Sequence, residues 1–266
     1  TSAEGANGVT GTTVTVNADG MQIVESSIDS GELYFNSRTY VMWNWLAATA
    51  FSNDASATGV GTIDSSGRAN TTAGFSIVSY TGTGSAGTIK HGLSAAPEML
   101  IVKNRDTARD WMVYHSALGA TKRIWLNYTY GEDSGTAASA TWNDTAPTST
   151  VFSIGTNTHV NDSGDDHIVY CFHSVEGYSK VGSYVGNGSA DGINVHTGFR
   201  PAFVLLKKSS ASGDNWSMYD NKRDIDNAVS EYLIPNSSDQ AGSTATMDFV
   251  SNGFKIRNAG AYVNTN

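Results

Sequence analysis

The strongest constraint in this sequence is an internal repeat with a period of about 100 residues. The string GFSIVSY at 74–80 returns as GYSKVGSY at 177–184, and a Gly-rich turn follows each copy. Trp111 and Trp216 recur 105 residues apart, each at the start of a similar strand-like string. A period of this length is typical of one β-sandwich, so we expect related units in tandem.

The repeat also predicts how the chain is divided. The string HIVYCFH at 167–173 ends one unit and has a counterpart in TYVMWNW at 39–45, but no third counterpart follows residue 256. We therefore expect four parts: 1–45 as the end of a preceding unit, 46–73 as a linker or weak hairpin, 74–173 as a first β-sandwich repeat, and 174–266 as a second that lacks its last strand. This pattern suggests a segment of a longer chain, or a final strand that is supplied from elsewhere.

The composition favours strands over helices. The chain contains 28 Gly, only 15% charged residues and many Ser, Thr and Asn, which lower helix stability. Apolar runs such as MLIVK (99–103) and AFVLLKK (202–208) suit strands buried on both faces, and only 224–232 looks like a short helix or turn. The predicted fold class is all-β, with tandem antiparallel β-sandwich modules of jelly-roll or concanavalin-like type.

Charge and hydropathy exclude two classes of partner. The net charge is −9 and the pI is near 5.0, which argues against nucleic acid, since that partner requires a basic surface. No apolar run approaches the 18 or more residues of a membrane-spanning helix. The single cysteine, Cys171, cannot form a disulfide within the chain.

The sequence offers no motif for an enzyme. It lacks both a GxSxG nucleophile elbow and an HExxH zinc motif. Glycoside hydrolysis would need two carboxyl groups facing each other across a sugar, and Glu98 has Ala202 as its counterpart in the repeat. We therefore expect no catalytic residues.

Aromatic residues provide the candidate ligand site. Trp125, Tyr128, Tyr130 and Trp142 lie in or beside a polar region at 125–145. A sugar ring stacks its apolar face on such side chains, so these four are the predicted glycan contacts, with Trp142 and Tyr130 favoured by their turn-like neighbours. The alternative is that they pack internally or at an oligomer interface.

An acidic loop provides a candidate metal site. The string NDSGDD at 161–166 presents the carboxylates of Asp162, Asp165 and Asp166 around a glycine. Calcium prefers such oxygen ligands, although the spacing is not that of an EF-hand. A polar hairpin turn has the same composition. Apart from this calcium candidate, no cofactor is expected.

Several strings in the chain are shared with a known class of proteins. YVMWNW (40–45), WNDTAPTSTVFSIG (142–155) and GFRPAFVLLKK (198–208) resemble the repeat modules of bacteriophage tail-fibre and related virion appendage proteins, especially those of marine phages. The similarity extends over about residues 39–256. The resemblance implies lectin-like β-sandwich modules on the virion surface, in a homo-oligomer, with a trimer favoured. It assigns no catalytic residue to this chain.

The leading hypothesis is a structural virion fibre or appendage segment that contacts other virion proteins and attaches to host-surface carbohydrate. A second hypothesis is a purely structural spacer or capsid decoration protein, which predicts that the aromatic residues at 125–145 are buried. A third is a glycan-degrading depolymerase, which requires a pair of carboxylates in a groove.

Overall fold

The structure, a computed structural model, describes residues 12–17, 20–25, 42–239 and 242–265. The predicted end of a preceding unit at 1–45 therefore lies largely outside the described residues. The first described element is a hairpin of β1 (Thr12–Asn17) and β2 (Gly20–Glu25).

The remaining described elements are mostly short strands. In chain order they are β3 (Thr49–Asn53), α1 (Ala55–Thr58), β4 (Ser65–Asn70), β5 (Phe75–Thr81), β6 (Gly87–Lys90), β7 (Met99–Asn104), β8 (Met112–His115), β9 (Lys122–Trp125), β10 (Asp133–Ser134), α2 (Thr136–Trp142), β11 (Val151–Ile154), α3 (Thr158–Asn161), β12 (Asp166–Phe172), β13 (Asn194–His196), β14 (Phe203–Leu206), β15 (Ser217–Asp220), β16 (Val229–Leu233), β17 (Gly242–Val250), β18 (Gly253–Ile256) and α4 (Ala261–Asn264). The all-β prediction is confirmed.

Two large antiparallel sheets organise these strands. The eight-stranded sheet has the order β10-β9-β8-β7-β12-β5-β4-β3, and the six-stranded sheet has the order β13-β18-β17-β16-β15-β14. A separate two-stranded sheet pairs β6 with β11. The strings FSIVSY, MLIVKN and HIVYCF, predicted as strands from their apolar pattern, form β5, β7 and β12 in the eight-stranded sheet.

The eight-stranded sheet is covered on both faces because its apolar residues point both ways. On one face, Leu100 and Val102 of β7 join a core with Ile89 of β6 and Phe152 of β11, so the two-stranded sheet packs over this face. On the other face, Ile101 belongs to a different cluster. Side chains alternate between faces along a strand, which explains why β7 reads as a continuous apolar run.

The six-stranded sheet has its own apolar core. Its fully buried members include Tyr219, Met247 and Ile256, with α4 adding Val263. A third cluster joins the two large sheets: Trp216, only 4% exposed, packs with Ile101 and Ile124 of the eight-stranded sheet. The two large sheets are thus in direct contact.

Equivalent hydrogen bonds occur in the two halves of the structure, one half built around the eight-stranded sheet and the other around the six-stranded sheet. The hydroxyl of Tyr80 donates to the carbonyl of Val160 at 2.6 Å, and the hydroxyl of Tyr184 donates to the carbonyl of Val263 at 2.8 Å. The two tyrosines are 104 residues apart in the sequence. Each bond ties the end of a short helix, α3 or α4, to the body of its half.

The residue after each acceptor carbonyl is an asparagine, Asn161 or Asn264, and the two side chains make equivalent hydrogen bonds. Asn161 accepts from the backbone N–H of Thr83 and donates to the carbonyl of Ser85, at 2.7 Å in both cases. Asn264 accepts from the N–H of Asn187 at 2.9 Å and donates to the carbonyl of Ser189 at 2.6 Å. Both asparagine side chains are buried and satisfy the backbone of a polar turn.

The structure bears on three local expectations. Residues 46–73, expected as a linker or weak hairpin, form the hairpin: β3 pairs with β4 and β4 pairs with β5, which extends the eight-stranded sheet. The string at 177–184 forms no named strand, although Val175 and Ser179 make an isolated bridge. The stretch 224–232, expected as a short helix or turn, contains bends at 226–228 and ends in β16, where Val229 is buried.

Candidate functional site

Three of the predicted glycan-contact residues form a continuous aromatic surface, which we call the aromatic ledge: Trp125, Tyr128 and Tyr130. Trp125 ends β9, and the two tyrosines follow in the next turn. The rings of Tyr128 and Tyr130 stack at 4.9 Å between centroids, and the ring of Trp125 meets Tyr130 edge-on at 5.6 Å. Tyr130 is 48% exposed, so the ledge offers an aromatic ring to solvent.

Hydrogen bonds from the six-stranded sheet hold the turn that carries the ledge. Four hydrogen bonds join it to the hairpin between β14 and β15: Glu132 N–H to Ser209 O at 2.7 Å, Gly131 N–H to Ser212 Oγ at 3.0 Å, Gly213 N–H to Thr129 O at 2.9 Å, and Lys207 Nζ to Thr129 O at 3.4 Å. The rings of the ledge therefore sit on backbone that both large sheets hold in place. This order lowers the entropy that a ligand would have to remove on binding.

Lys207 is the charged anchor of this connection. Its ammonium also donates to the carbonyls of Lys208 at 3.0 Å and Asp214 at 2.8 Å. Burial lowers the pKa of Lys207 from 10.5 to about 8, against the opposing effect of the Asp214 charge. Lys103 makes the matching contacts in the first half, where its Nζ donates to Asn104 O at 2.8 Å and Arg109 O at 3.1 Å.

Charged and amide groups surround the ledge. The guanidinium of Arg123 lies 4.8 Å from the centre of the Trp125 ring, a cation–π contact, and its Nε donates to Asp133 at 2.9 Å. The carboxylate of Asp110 accepts from Asn127 Nδ2 at 3.0 Å. Its negative charge raises the pKa of Tyr128 because the phenolate would be repelled.

Sequence reasoning missed the polar partners of the ledge. Arg123 lies two residues before Trp125 on β9, so the period of two places both on one face. This alternation along β9 is the sequence signal that could have identified Arg123 as a partner of Trp125. Asp110, in contrast, precedes β8, whereas Tyr128 follows β9. Only the tertiary fold brings the charge of Asp110 close to Tyr128.

The structure places Trp142 elsewhere and corrects its assignment. Trp142 is the last residue of α2 and is only 1% exposed. Its ring meets Tyr114 edge-on at 5.8 Å inside the core of the eight-stranded sheet. A side chain with this burial cannot stack on a ligand in solvent, so Trp142 is a core residue and leaves the set of glycan contacts.

The three carboxylates predicted as calcium ligands have separate partners. Asp162 pairs with Arg109 at 2.5 Å, and Asp165 accepts from Asn104 Nδ2 at 2.8 Å. Asp166 accepts from the hydroxyl of Thr81 at 2.8 Å. Among the residues that the structure describes, no three His, Cys, Asp or Glu side chains form a group suited to a metal ion. Calcium at this loop stays a prediction, which metal analysis of the dialysed protein would test.

Within the described ranges, no helix combines the length and apolar character that a membrane crossing requires.

Comparison with known proteins places the chain in a family. Neither the curated proteins nor the solved structures contain a match to the chain. A family model described as "Domain of unknown function (DUF7483)" matches residues 1–266, and the chain therefore belongs to the DUF7483 family.

Proposed function

We propose that this protein is a non-enzymatic structural segment of a virion fibre or appendage, and that it attaches to host-surface glycans through the aromatic ledge. The observation that carries the proposal is the exposed ring of Tyr130, stacked on the half-buried Tyr128, on a turn held by both large sheets. The resemblance of the sequence to phage tail-fibre modules supports the virion location. A homotrimer that contacts other virion proteins is part of the same proposal.

The finer architecture that we propose is a tandem pair of β-sandwich repeats. The recurrence of the Tyr80 and Tyr184 hydrogen bonds, and of the Asn161 and Asn264 amide contacts, supports a shared ancestry of the two halves. Packing of the two-stranded sheet over the eight-stranded sheet supports a sandwich in the first half.

The pairing of β14 among the described strands supports a second repeat that lacks one strand. Its counterpart β7 pairs with both β8 and β12, whereas β14 pairs only with β15 among the described strands. A strand equivalent to β12 would pair at this position. A strand from a neighbouring chain is one way to supply it, which is compatible with an oligomer.

The chemistry of the ledge suits sugars. The exposed ring of Tyr130 can stack on the apolar face of a pyranose, and the partly exposed carboxylate of Asp133, held by Arg123, can accept from hydroxyls. A single exposed stacking contact binds weakly. Several copies in one fibre would raise the overall affinity through high effective concentration, without any new contact.

The second candidate is a structural spacer or decoration protein without its own ligand. It predicts buried aromatic residues at 125–145, and the burial of Trp142 favours it. The exposure of Tyr130 favours attachment instead. The depolymerase hypothesis remains a third proposal, for which loss of glycan during incubation would be the positive result.

A glycan array tests the proposal. Streptavidin-tetramerised protein is applied to bacterial surface glycans, together with the Tyr130→Ala variant and a matched control, Tyr178→Ala, which removes another exposed tyrosine. We expect the wild type and the control to bind the same glycans and Tyr130→Ala to lose about tenfold in affinity, the effect of one stacking contact of roughly 1–1.5 kcal/mol. Absence of wild-type binding, or equal binding by Tyr130→Ala, would refute attachment through the ledge.

A further inference from the structure

A second candidate binding site lies at the other end of the eight-stranded sheet, where β3, β4 and the end of β6 meet. It is an open cleft of about 340 Å³, which is within the usual size range of small-molecule sites. The residues that line it are Thr49, Phe51, Ala69, Thr71, Lys90 and Gly92. None of the four polar or aromatic side chains in this set contributes to the aromatic ledge.

The ring of Phe51 lies against two glycines and forms a flat apolar platform in the cleft. Phe51 is opposite Gly67 in the β3–β4 pairing, and a Cβ atom on Gly67 would lie 3.1 Å from the ring. A Cβ atom on Gly92 would come within 2.6 Å of the same ring. The two glycines therefore allow the ring to lie directly against the backbone. Phe51 is only partly buried, so part of the ring borders the cleft.

The cleft also contains a cation that pairs with no carboxylate of the described residues. The ammonium of Lys90 lies 5.9 Å from the centre of the Phe51 ring. Among the described residues, no carboxylate lies within 4.0 Å of Lys90 Nζ. The exposed hydroxyls of Thr49 and Thr71 complete the rim.

We propose that this cleft binds an acidic saccharide, with the sugar ring against Phe51 and its carboxylate at Lys90. The platform supplies the apolar contact that a pyranose face requires, the ammonium supplies the countercharge, and the threonines can bond to hydroxyls. A neutral sugar would leave Lys90 unused. The site thus selects uronic acids or other carboxylated sugars over neutral ones.

The position of the cleft gives the protein two separated saccharide sites. The ledge begins at β9 and the cleft is at β4, five strand positions away in the eight-stranded sheet. With strands about 4.8 Å apart, the two sites are roughly 24 Å from each other. A polymeric acidic glycan could contact both, so this inference extends the proposed attachment function but depends on different residues.

The experiment is a calorimetric titration with tetragalacturonate as the acidic probe and maltotetraose as the neutral probe. Lys90→Gln removes the charge, Phe51→Leu removes the ring while keeping an apolar side chain, and Lys222→Gln is the matched control for loss of one exposed lysine. We expect saturable binding of tetragalacturonate only, weakened about fivefold by Lys90→Gln, weakened also by Phe51→Leu, and unchanged in Lys222→Gln. Circular dichroism confirms that each variant is folded.

Three results would overturn the proposal: no saturable binding of tetragalacturonate by the wild type, equal affinity in Lys90→Gln, or equal affinity for the neutral probe. The Tyr130→Ala variant separates this inference from the attachment proposal. Loss of tetragalacturonate binding in Tyr130→Ala but not in Lys90→Gln would place the acidic sugar at the ledge and refute the cleft. Array binding that depends on Tyr130, with no effect of Lys90→Gln on any acidic glycan, would leave the attachment proposal standing alone.

Discussion

Replacement of Trp216 is the sharpest test of how the two large sheets are joined. Its side chain is 4% exposed and packs against Ile101, Val113 and Ile124 of the eight-stranded sheet. Its Nε1 donates to the carbonyl of Trp125 at 2.7 Å, directly below the ledge. Trp216→Ala removes both the buried ring and the hydrogen bond. We expect it to lower the free energy of unfolding by about 4 kcal/mol, the usual cost of truncating a large buried aromatic residue.

Trp216→Phe separates the two contributions. Phenylalanine keeps most of the apolar contact but leaves the Trp125 carbonyl without its donor, which should cost about 1–2 kcal/mol. Ile225→Ala is the surface control, because Ile225 is 74% exposed. Urea denaturation followed by far-UV circular dichroism gives the three values. A Trp216→Ala variant within about 0.5 kcal/mol of wild type, the range of a surface substitution, would refute the joined arrangement.

Three further predictions follow from buried polar groups. Asn161→Ala should destabilise the protein more than Asn264→Ala in thermal unfolding, by about 3 against 2 kcal/mol, because Asn161 makes four hydrogen bonds and Asn264 makes two; the reverse order would contradict the contacts. Burial lowers the pKa of His91 from 6.5 to about 4, so the unfolded state takes up the proton first and stability should fall between pH 6.5 and pH 4. Urea midpoints across this range should show a flatter pH dependence in His91→Gln, and an unchanged slope would exclude His91 as the cause. Burial raises the pKa of the Cys171 thiol to about 12, so a thiol reagent should label it only after unfolding, and rapid labelling of the native protein would be inconsistent with its position in the core.

The hydrogen bonds around His91 account for the direction of the pH dependence that we expect. Its Nε2 lies 3.1 Å from the carbonyl of Thr148, so this nitrogen donates, while Nδ1 accepts from the N–H of Leu93 at 3.1 Å. Both nitrogens are therefore satisfied in the neutral ring. Protonation would place a second proton on Nδ1, facing the N–H of Leu93, and would break that hydrogen bond.

Strands with strong apolar patterns were predictable from the sequence, and weakly patterned ones were not. β7 and β12 have apolar residues on both faces because the eight-stranded sheet is covered on both sides. The string at 177–184 looks similar to β5, but Lys180 stands where β5 has Ile77, and no described strand lies beside it. A strand needs hydrogen-bonded neighbours, which its own sequence does not determine.

Trp142 shows why the candidate site was only partly predictable. Its neighbours GEDSG and WNDTAP are turn-like, which suggested an exposed loop. The intervening TAASATW instead forms α2, because alanine favours helix, and Asn143 ends it in a left-handed conformation with φ 53°. The burial of one helix face depends on tertiary packing. Tyr128 and Tyr130, predicted as glycan contacts from their polar surroundings, lie on a turn whose support from the β14–β15 hairpin depends on contacts distant in sequence.

We propose above all that the aromatic ledge attaches the protein to a bacterial surface glycan. Flow cytometry of fluorescent, tetramerised protein on a panel of bacterial cells tests it most directly, with cells before and after periodate oxidation of their surface sugars. We expect binding to at least one strain that disappears after oxidation and in the Tyr130→Ala variant, while Tyr178→Ala binds as the wild type does. Binding that survives both oxidation and the loss of Tyr130 would contradict the claim.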